Sequence, residues 1–465
     1  MSVERLALGV LLPGFRGRSA PEWVRRAVED GLGGVVLFGD NMPFAGGLDR
    51  VLVATDEEGG DVSRLRTLYP GNLALGEIDD VELTEEVAAE IAHACAAAGV
   101  NLNFAPVADV NVDADNAAIG VRSFGADASL VARHTAAYVR GTQRSGVAAC
   151  AKHFPGHGHT SEDSHRELPT LTIDLDEPLL PFRAAIDAGV AAIMTAHIRV
   201  PALDDAPATL SRTVLEDLLR GELGFGGLIV TDALEMGAIS NTYGLEDAAV
   251  RALAAGVDAL CLGYYPGDAE VRSIAASIVH AVVRGELSEQ RLQEANARVA
   301  RVTASFPSSS TAFQDDGALG RQAAERALRV EGDPSLAGPP FVIEFHPEPL
   351  VAAGASSFGF GDALRESAAV ADVVRAERGN SALDPPEVPL VLVLRDAHRH
   401  EWQRTAADEL LARRPDAVVV ETGLPVWRPP RAAAYVATYG GGRVNLEAAA
   451  AAVSPAREPV AAKEA

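Results

Sequence analysis

The sequence predicts an α/β protein: a TIM-like (β/α)8 barrel over roughly its first two thirds, followed by a smaller α/β domain. Three observations point there. Eight short apolar runs recur, at residues 6–12, 34–38, 51–55, 100–106, 147–151, 191–196, 228–231 and 257–262, each suited to a buried strand. Amphipathic stretches at helical spacing separate most of them, at 21–30, 82–98, 127–145, 177–188, 213–223 and 245–255. Polar residues then follow the runs: Asp56 after the third, Asp109 after the fourth, Lys152 and His153 after the fifth, His197 after the sixth and Asp232 after the seventh. Barrels of this kind work at the carboxyl mouth of their strands, so these residues are expected to share one small-molecule pocket. An open doubly wound sheet is the rival arrangement. The connection 39–48 is short and Gly-rich, which predicts a missing helix and an irregular barrel at that point.

After Arg301 the pattern changes. The stretch 306–317, FPSSSTAFQDDG, reads as a polar linker, and a smaller α/β pattern resumes beyond it. Strands are expected at 340–344, 389–394, 417–420 and 435–438, with helices at 321–328, 400–413 and 445–452. The expected organisation is a catalytic barrel over 1–305, a linker over 306–318, the smaller domain over 319–453 and a flexible tail over 454–465.

Composition narrows the function. The chain carries 65 acidic against 40 basic residues, a formal charge of −25, and a field of that sign repels phosphate backbones and anionic lipid. Neither nucleic acid nor a membrane surface is therefore an expected partner. Cys95, Cys150 and Cys261 lie among apolar residues without a CxxC spacing, so they read as core side chains in a reducing compartment. The first residues, MSVERLALGVLLPGF, are too short in apolar length and too weakly basic for a signal peptide, which predicts a cytoplasmic protein.

The segment 151–165, AKHFPGHGHTSEDSH, holds four of the eleven histidines, a lysine and two acids around a Pro-Gly turn. Prolines and glycines deny it a regular helix, so it reads as a loop that presents side chains at a strand end. Asp163 and His165 stand two apart, and a carboxylate there would orient the imidazole and raise its basicity. Asp232, in VTDALEM, is open to three readings: nucleophile, metal ligand or buried structural acid. A carboxylate nucleophile with a separate proton donor is the machinery of retaining glycoside cleavage, here with histidine in the donor's place.

These pieces stand in a telling order. Asp56-Glu57-Glu58-Gly59-Gly60 with Val62 and Arg64, then APVADV, IGVRSFG, KHFPGHG with the following DSH, and TDALEM resemble the ordered motifs of glycoside hydrolase family 3, and within it the bacterial β-N-acetylglucosaminidases (β-N-acetylhexosaminidases). The resemblance covers roughly residues 1 to 305. It implies Asp232 as nucleophile, His165 as acid/base and Asp163 as its dyad partner, with Asp56, Arg64, Arg122, Lys152 and His153 binding the sugar. The implied substrate is a terminal β-linked N-acetylhexosamine in muropeptide or chitin-derived fragments, cleaved by exo action without metal or cofactor and linked to cell-wall recycling. Carboxylate, guanidinium and ammonium groups suit the donor and acceptor character of pyranose hydroxyls. Glu57 and Glu58 are less secure as site residues, and His157, His159 and His197 divide evenly between pocket lining and loop support. His159 departs from the family's loop, where a small polar or acidic residue is more familiar. The C-terminal domain also resembles the family's, in VLVLRDA and VVVETGLP, but is abbreviated and is expected to be a scaffold.

Several rivals remain at this level. A histidine acid/base would not repel an anionic acceptor as an ionised carboxylate does, by about 1 kcal/mol at 4 Å even in water, so inorganic phosphate is an expected competitor of water and a phosphorylase an alternative. A β-glucosidase is a further one. A metal-dependent amidohydrolase would use His157, His159, His197 and Asp232 as ligands, although its HxH belongs on the first strand rather than the fifth. A sugar-binding barrel without catalysis would need neither Asp232 nor the Asp163–His165 pair.

Overall fold

The computed structural model describes residues 1–160, 168–308, 313–347, 358–379 and 383–453. Its contacts divide into two compact units, Met1–Thr67 with Asp79–Asp316, and Leu68–Ile78 with Gly317–Ala465. The second unit thus includes a short segment that precedes most of the barrel in sequence.

Eight parallel strands make the barrel of the first unit: β1 (Leu11–Leu12), β2 (Gly34–Leu37), β3 (Leu52–Thr55), β4 (Leu102–Asn103), β5 (Ala148–Phe154), β6 (Ala192–Thr195), β7 (Leu228–Thr231) and β8 (Leu260–Cys261). Strands β2 to β7 pair in sequence order, and β1 pairs with β8 through Leu11↔Leu260 and Leu12↔Cys261. Single bridges, Gly14↔Val36 and Val230↔Ala259, join the two sheets and close the ring. Alternate residues point inward, among them Leu12, Val36, Leu52, Leu102, Cys150, Met194, Val230 and Ala259, and pack one interior core. Val299 and Val302 of the helix Glu289–Ser305 belong to that same core, with Phe306 against it. At the start of β8, buried Asp258 pairs with Arg220 at 2.6 Å and with Arg291 at 2.5 Å and Arg298 at 3.0 Å, the last two from that same helix.

Most connections run through helices, as the periodicity predicts: Glu22–Asp30, Val81–Ala97, Ala128–Arg144, Asp176–Asp187, a wide-wound π-helix at Thr213–Glu222, and Leu245–Ala255. Between β2 and β3 there is only the single turn Gly39–Asn41, in accord with the helix expected to be missing there. One run is only partly a strand. Residues 6–8 belong to the helix Val3–Leu8, which Ser2 caps by accepting from the Arg5 N–H at 3.4 Å, so the strand waits until Leu11.

In the second unit a six-stranded sheet runs in the order β9 (Arg329–Gly332), β14 (Ala434–Ala437), β13 (Val418–Glu421), β12 (Leu390–Leu394), β10 (Phe341–Phe345) and β11 (Asp372–Ala376). Only β9 is antiparallel to its neighbour. Ile343, Leu392 and Val419 face one apolar core while Val342, Val391 and Val420 face another, the pattern of a sheet covered on both sides. The edge strands β9 and β11 were not evident in the sequence because charged residues interrupt both. Among the described residues, no helix is long and apolar enough to cross a membrane. The three cysteines are free and buried.

Candidate active site

The DEEGG motif builds the first part of the mouth. Asp56 directly follows β3, and residues Glu57–Gly59 then pair with Val62–Ser63 in a tight hairpin. Gly59 and Gly60 turn it at φ 80 and 59, a left-handed path that favours glycine. Neighbouring residues on an extended strand point to opposite sides, which separates the two glutamates. Glu57 turns into its own hairpin, where Ser63 Oγ at 2.5 Å, Thr67 Oγ1 at 2.6 Å and the Leu65 N–H at 2.7 Å donate to its carboxylate. Asn103, at the end of β4, holds the Glu57 main chain by accepting from its N–H and donating to its carbonyl. Burial raises the Glu57 pKa against these hydrogen bonds. This side chain is part of the scaffold.

Glu58 faces the opposite way, into a buried charge network. Arg122 grips it with two donors, Nε to Oε2 at 3.0 Å and Nη2 to Oε1 at 2.8 Å, while Arg122 Nη1 donates to the Ala118 carbonyl. Lys152 Nζ lies 2.6 Å from both Glu58 Oε1 and Asp56 Oδ1. Burial alone would raise the Glu58 pKa, but the Arg122 charge, then that of Lys152, and their hydrogen bonds outweigh it and hold the carboxyl far below its usual range. Burial likewise opposes the charge on Lys152, and Asp56 with Glu58 overcomes it, so the ammonium is held above its ordinary pKa. Asp56, Lys152 and Arg122 are therefore brought together, with Glu58 as the link between Lys152 and Arg122 and Lys152 as the link to Asp56. The guanidinium of Arg122 spends most of its donors on protein rather than on open space.

A second network sits beside the first. His153 Nδ1 donates to Asp109 Oδ2 at 2.7 Å, and Asp109 Oδ1 accepts the His157 N–H at 2.6 Å. Burial opposes the Asp109 charge, but the charge and hydrogen bond of His153, then His157, more than offset it and lower the pKa. His157 is further tied to Thr160 through Nδ1 and accepts from Asn116 Nδ2 at its carbonyl, and burial lowers its pKa. The loop passes so close to residue 110 that a Cβ on Gly158 would lie 2.0 Å from the Val110 carbonyl oxygen. His159 is partly buried, and burial lowers its pKa as well.

Asp232 leaves β7 partly exposed, with its Oδ1 accepting the Ala233 N–H at 2.8 Å. His197 braces the next atoms of the same turn: its Nε2 lies 3.0 Å from the Ala233 carbonyl and its Nδ1 2.8 Å from Thr209 Oγ1. A nitrogen facing a carbonyl oxygen must carry the proton, so His197 donates through Nε2. With both ring nitrogens so engaged, His197 supports the Asp232 turn. Among the described residues, no group of three or more His, Cys, Asp or Glu is placed to hold a metal ion. The charge of Asp232 reaches His157, and those of Asp56 and Asp109 reach Arg122, so the two networks and Asp232 share one mouth. Arg64, partly buried, follows the hairpin at the same end of the barrel. Asp163 and His165 lie outside the described residues.

Sequence reasoning underrated Glu58, and it gave Asp109 a place at the mouth but no role among the sugar-binding residues. Strand alternation was the available signal for Glu58, since two adjacent acids after a barrel strand cannot both face the same way. For Asp109 it was the strand-end position already noted.

A closed parallel barrel with carboxylates, a lysine, an arginine and histidines gathered at its carboxyl mouth has the form of a barrel enzyme. Residues 47–302 match the Glycosyl hydrolase family 3 N terminal domain. The chain belongs to glycosyl hydrolase family 3. It is 36% identical over 292 residues to Beta-hexosaminidase A of Pseudoalteromonas piscicida, a match covering 57% of this chain and 49% of that protein. With the Beta-hexosaminidase of Chromobacterium violaceum it shares 37% over 233 residues, 47% of this chain and 65% of the other. The chain thus spans about half the length of the first relative and just under two thirds of the second. A solved glycoside hydrolase family 3 beta-N-acetylglucosaminidase from Paenibacillus sp. str. FPU-7 superposes with a TM-score of 0.86 at 32% identity, covering 97% of this chain and 96% of that one.

Proposed function

We propose that this chain is a retaining, exo-acting β-N-acetylhexosaminidase, with Asp232 as nucleophile and His165, oriented by Asp163, as acid/base. The observation that carries the reading is the setting of Asp232. It sits at the mouth of a barrel of this family, partly exposed, with its turn fixed by the Ala233 N–H and by His197. In the first step its carboxylate bonds to the anomeric carbon while the leaving oxygen takes a proton from His165. In the second, His165 accepts a proton from the entering water, which displaces the carboxylate. Asp56 and Lys152, with Arg64, Arg122 and His153, surround the sugar ring. Lys152 is paired with Asp56 at 2.6 Å and Arg122 with Glu58 at 2.8 Å before any sugar arrives, which lowers the reorganisation needed on binding. The relatives' printed names support the N-acetylhexosamine substrate.

The test is release of p-nitrophenol from the N-acetyl-β-glucosaminide, the β-glucoside and the β-xyloside, measured side by side for the native chain and Asp232→Asn. The native chain should prefer the first substrate, and Asp232→Asn should lose on the order of 10³-fold or more in kcat while remaining folded. A folded Asp232→Asn protein with near-native turnover would refute the assignment.

A further inference from the structure

The rim between Asp232 and Asp56 that runs through the ends of β8, β1 and β2 carries a group of aromatic side chains that the mechanism above leaves unused. Aromatic residues make up only 5% of the chain, yet Phe15, Phe38, Phe44, Tyr264 and Tyr265 gather here. Tyr264 lies over Phe38 in a near-parallel stack, with centroids 4.1 Å and planes 22° apart, and Phe38 is itself buried. Tyr264 nevertheless remains 52% exposed, so with its inner face on Phe38 its outer face is open. Water would not hold a tyrosine in that position. The loop does.

Gly263 and Tyr265, on either side, adopt positive φ angles of 64 and 57, and a non-glycine residue keeps such a conformation only where its surroundings impose it. The surroundings are evident. The Tyr264 N–H donates to Glu235 Oε1 at 2.9 Å, and a Cβ on Gly263 would fall 1.5 Å from that same oxygen. Gly14 N donates to the Gly263 carbonyl, stitching the ends of β1 and β8 together. Tyr265 is fixed by its hydroxyl on Asp40 and by the Arg16 guanidinium over its ring at 4.6 Å. Asp56 and Arg64 both lie close enough for their charges to act on the Tyr264 phenol, which ties this rim to the charged mouth.

We propose that this rim is a second sugar subsite, with Tyr264 as a pre-positioned stacking platform for the apolar face of the pyranose ring that adjoins the one held at Asp56 and Asp232. An open, rigid aromatic face flanked by carboxylates and arginines matches a ring that is apolar on its faces and hydroxylated at its edge. The inference rests on the glycosidase reading, and it makes a chito-oligosaccharide, rather than a lone hexosaminide, the ligand that the whole mouth fits.

Two substrates separate the rim from the first sugar's site: N,N′-diacetylchitobiose, with two rings, and the methyl β-glycoside of N-acetylglucosamine, with one. Tyr264→Ala should raise KM for the disaccharide about 3- to 10-fold and leave the methyl glycoside unchanged, and Tyr264→Trp should restore the disaccharide's KM. Equal changes on both substrates, or none on either, overturn the subsite. Binding is measured as well, by calorimetry of chitobiose with full-length Asp232→Asn and with the Asp232→Asn, Tyr264→Ala double variant. Loss of affinity in the double variant supports the platform even if the native chain turns over neither sugar, a result that would count against the glycosidase reading alone. Unchanged affinity overturns the platform whatever the turnover.

Discussion

Replacing Glu58 by glutamine tests the buried network at its centre. The change keeps the shape of the side chain but removes the charge that Arg122 and Lys152 share, through contacts of 2.6 to 3.0 Å among side chains only 1 to 6% exposed. Glutamine offers one acceptor oxygen and turns an N–H2 toward groups that can only donate. Lys152 then keeps Asp56 as its ion-pair partner, while Arg122 loses both of its contacts to this carboxylate. Breaking a buried pair by removing one partner costs about 3–5 kcal/mol, against about 0–1 kcal/mol for an exposed pair. For a unit of this size, the loss corresponds to a fall in melting temperature on the order of 10 °C. Glu85→Gln is a matched control, because Glu85 meets Arg140 and Arg144 at 2.8 Å on the surface. Thermal unfolding by circular dichroism, with hydrogen exchange of the β3 amides to assign the loss to the barrel, measures both variants. If Glu58→Gln costs no more than Glu85→Gln, the network contributes nothing beyond an exposed pair and the reasoning fails. The acid limb adds a check. The Glu58 pKa is depressed in the folded chain, so its contribution is complete above the ordinary carboxylate pKa and is lost as pH falls toward the folded value. The difference between native and Glu58→Gln proteins should therefore narrow in acid.

Two further expectations follow from the chemistry and from the second unit. If His165 protonates the leaving oxygen, His165→Ala should slow glycosides with poor leaving groups far more than activated aryl glycosides, with Asp163→Ala weaker in the same direction; equal losses would make the histidine a positioning group. In the second unit, burial and then Asp396 raise the Glu421 pKa from 4.5 to about 8. The unfolded chain gives up that proton first, so this unit should lose stability as pH rises between those values, read as a falling protection factor of Val420 and its strand neighbours once the intrinsic base-catalysed exchange rate at each pH is divided out; a constant protection factor over that interval would contradict it.

Much of the barrel could be read from the sequence because its strands are buried on both faces and so appear as unbroken apolar runs. The same rule explains the errors. Residues 6–8 are as apolar as the strand that follows, and only the cap at Ser2 assigns them to a helix. Strands β9 and β11 sit at sheet edges, where charge is tolerated, and so gave no run to detect. At the mouth, residue types located Asp56, Lys152 and His153 because strand ends are ordered in the chain. Which of two adjacent glutamates turns inward depended on a hairpin path, and that path is set by contacts with Asn103 and Arg122, far away in sequence.

The closure of the barrel has a consequence for how the chain is made. Strand β1 meets β2 through the Gly14↔Val36 bridge but finds its paired strand only at residues 260 and 261, and the interior is stoppered only when Val299 and Val302 arrive. At a synthesis rate of about 5–20 residues per second, the first strand waits on the order of ten seconds to a minute beside an unfinished neighbour. Throughout that interval the growing sheet has two open edges and an uncovered apolar interior, so the nascent chain is most vulnerable to aggregation just before its last barrel helix emerges from the ribosome.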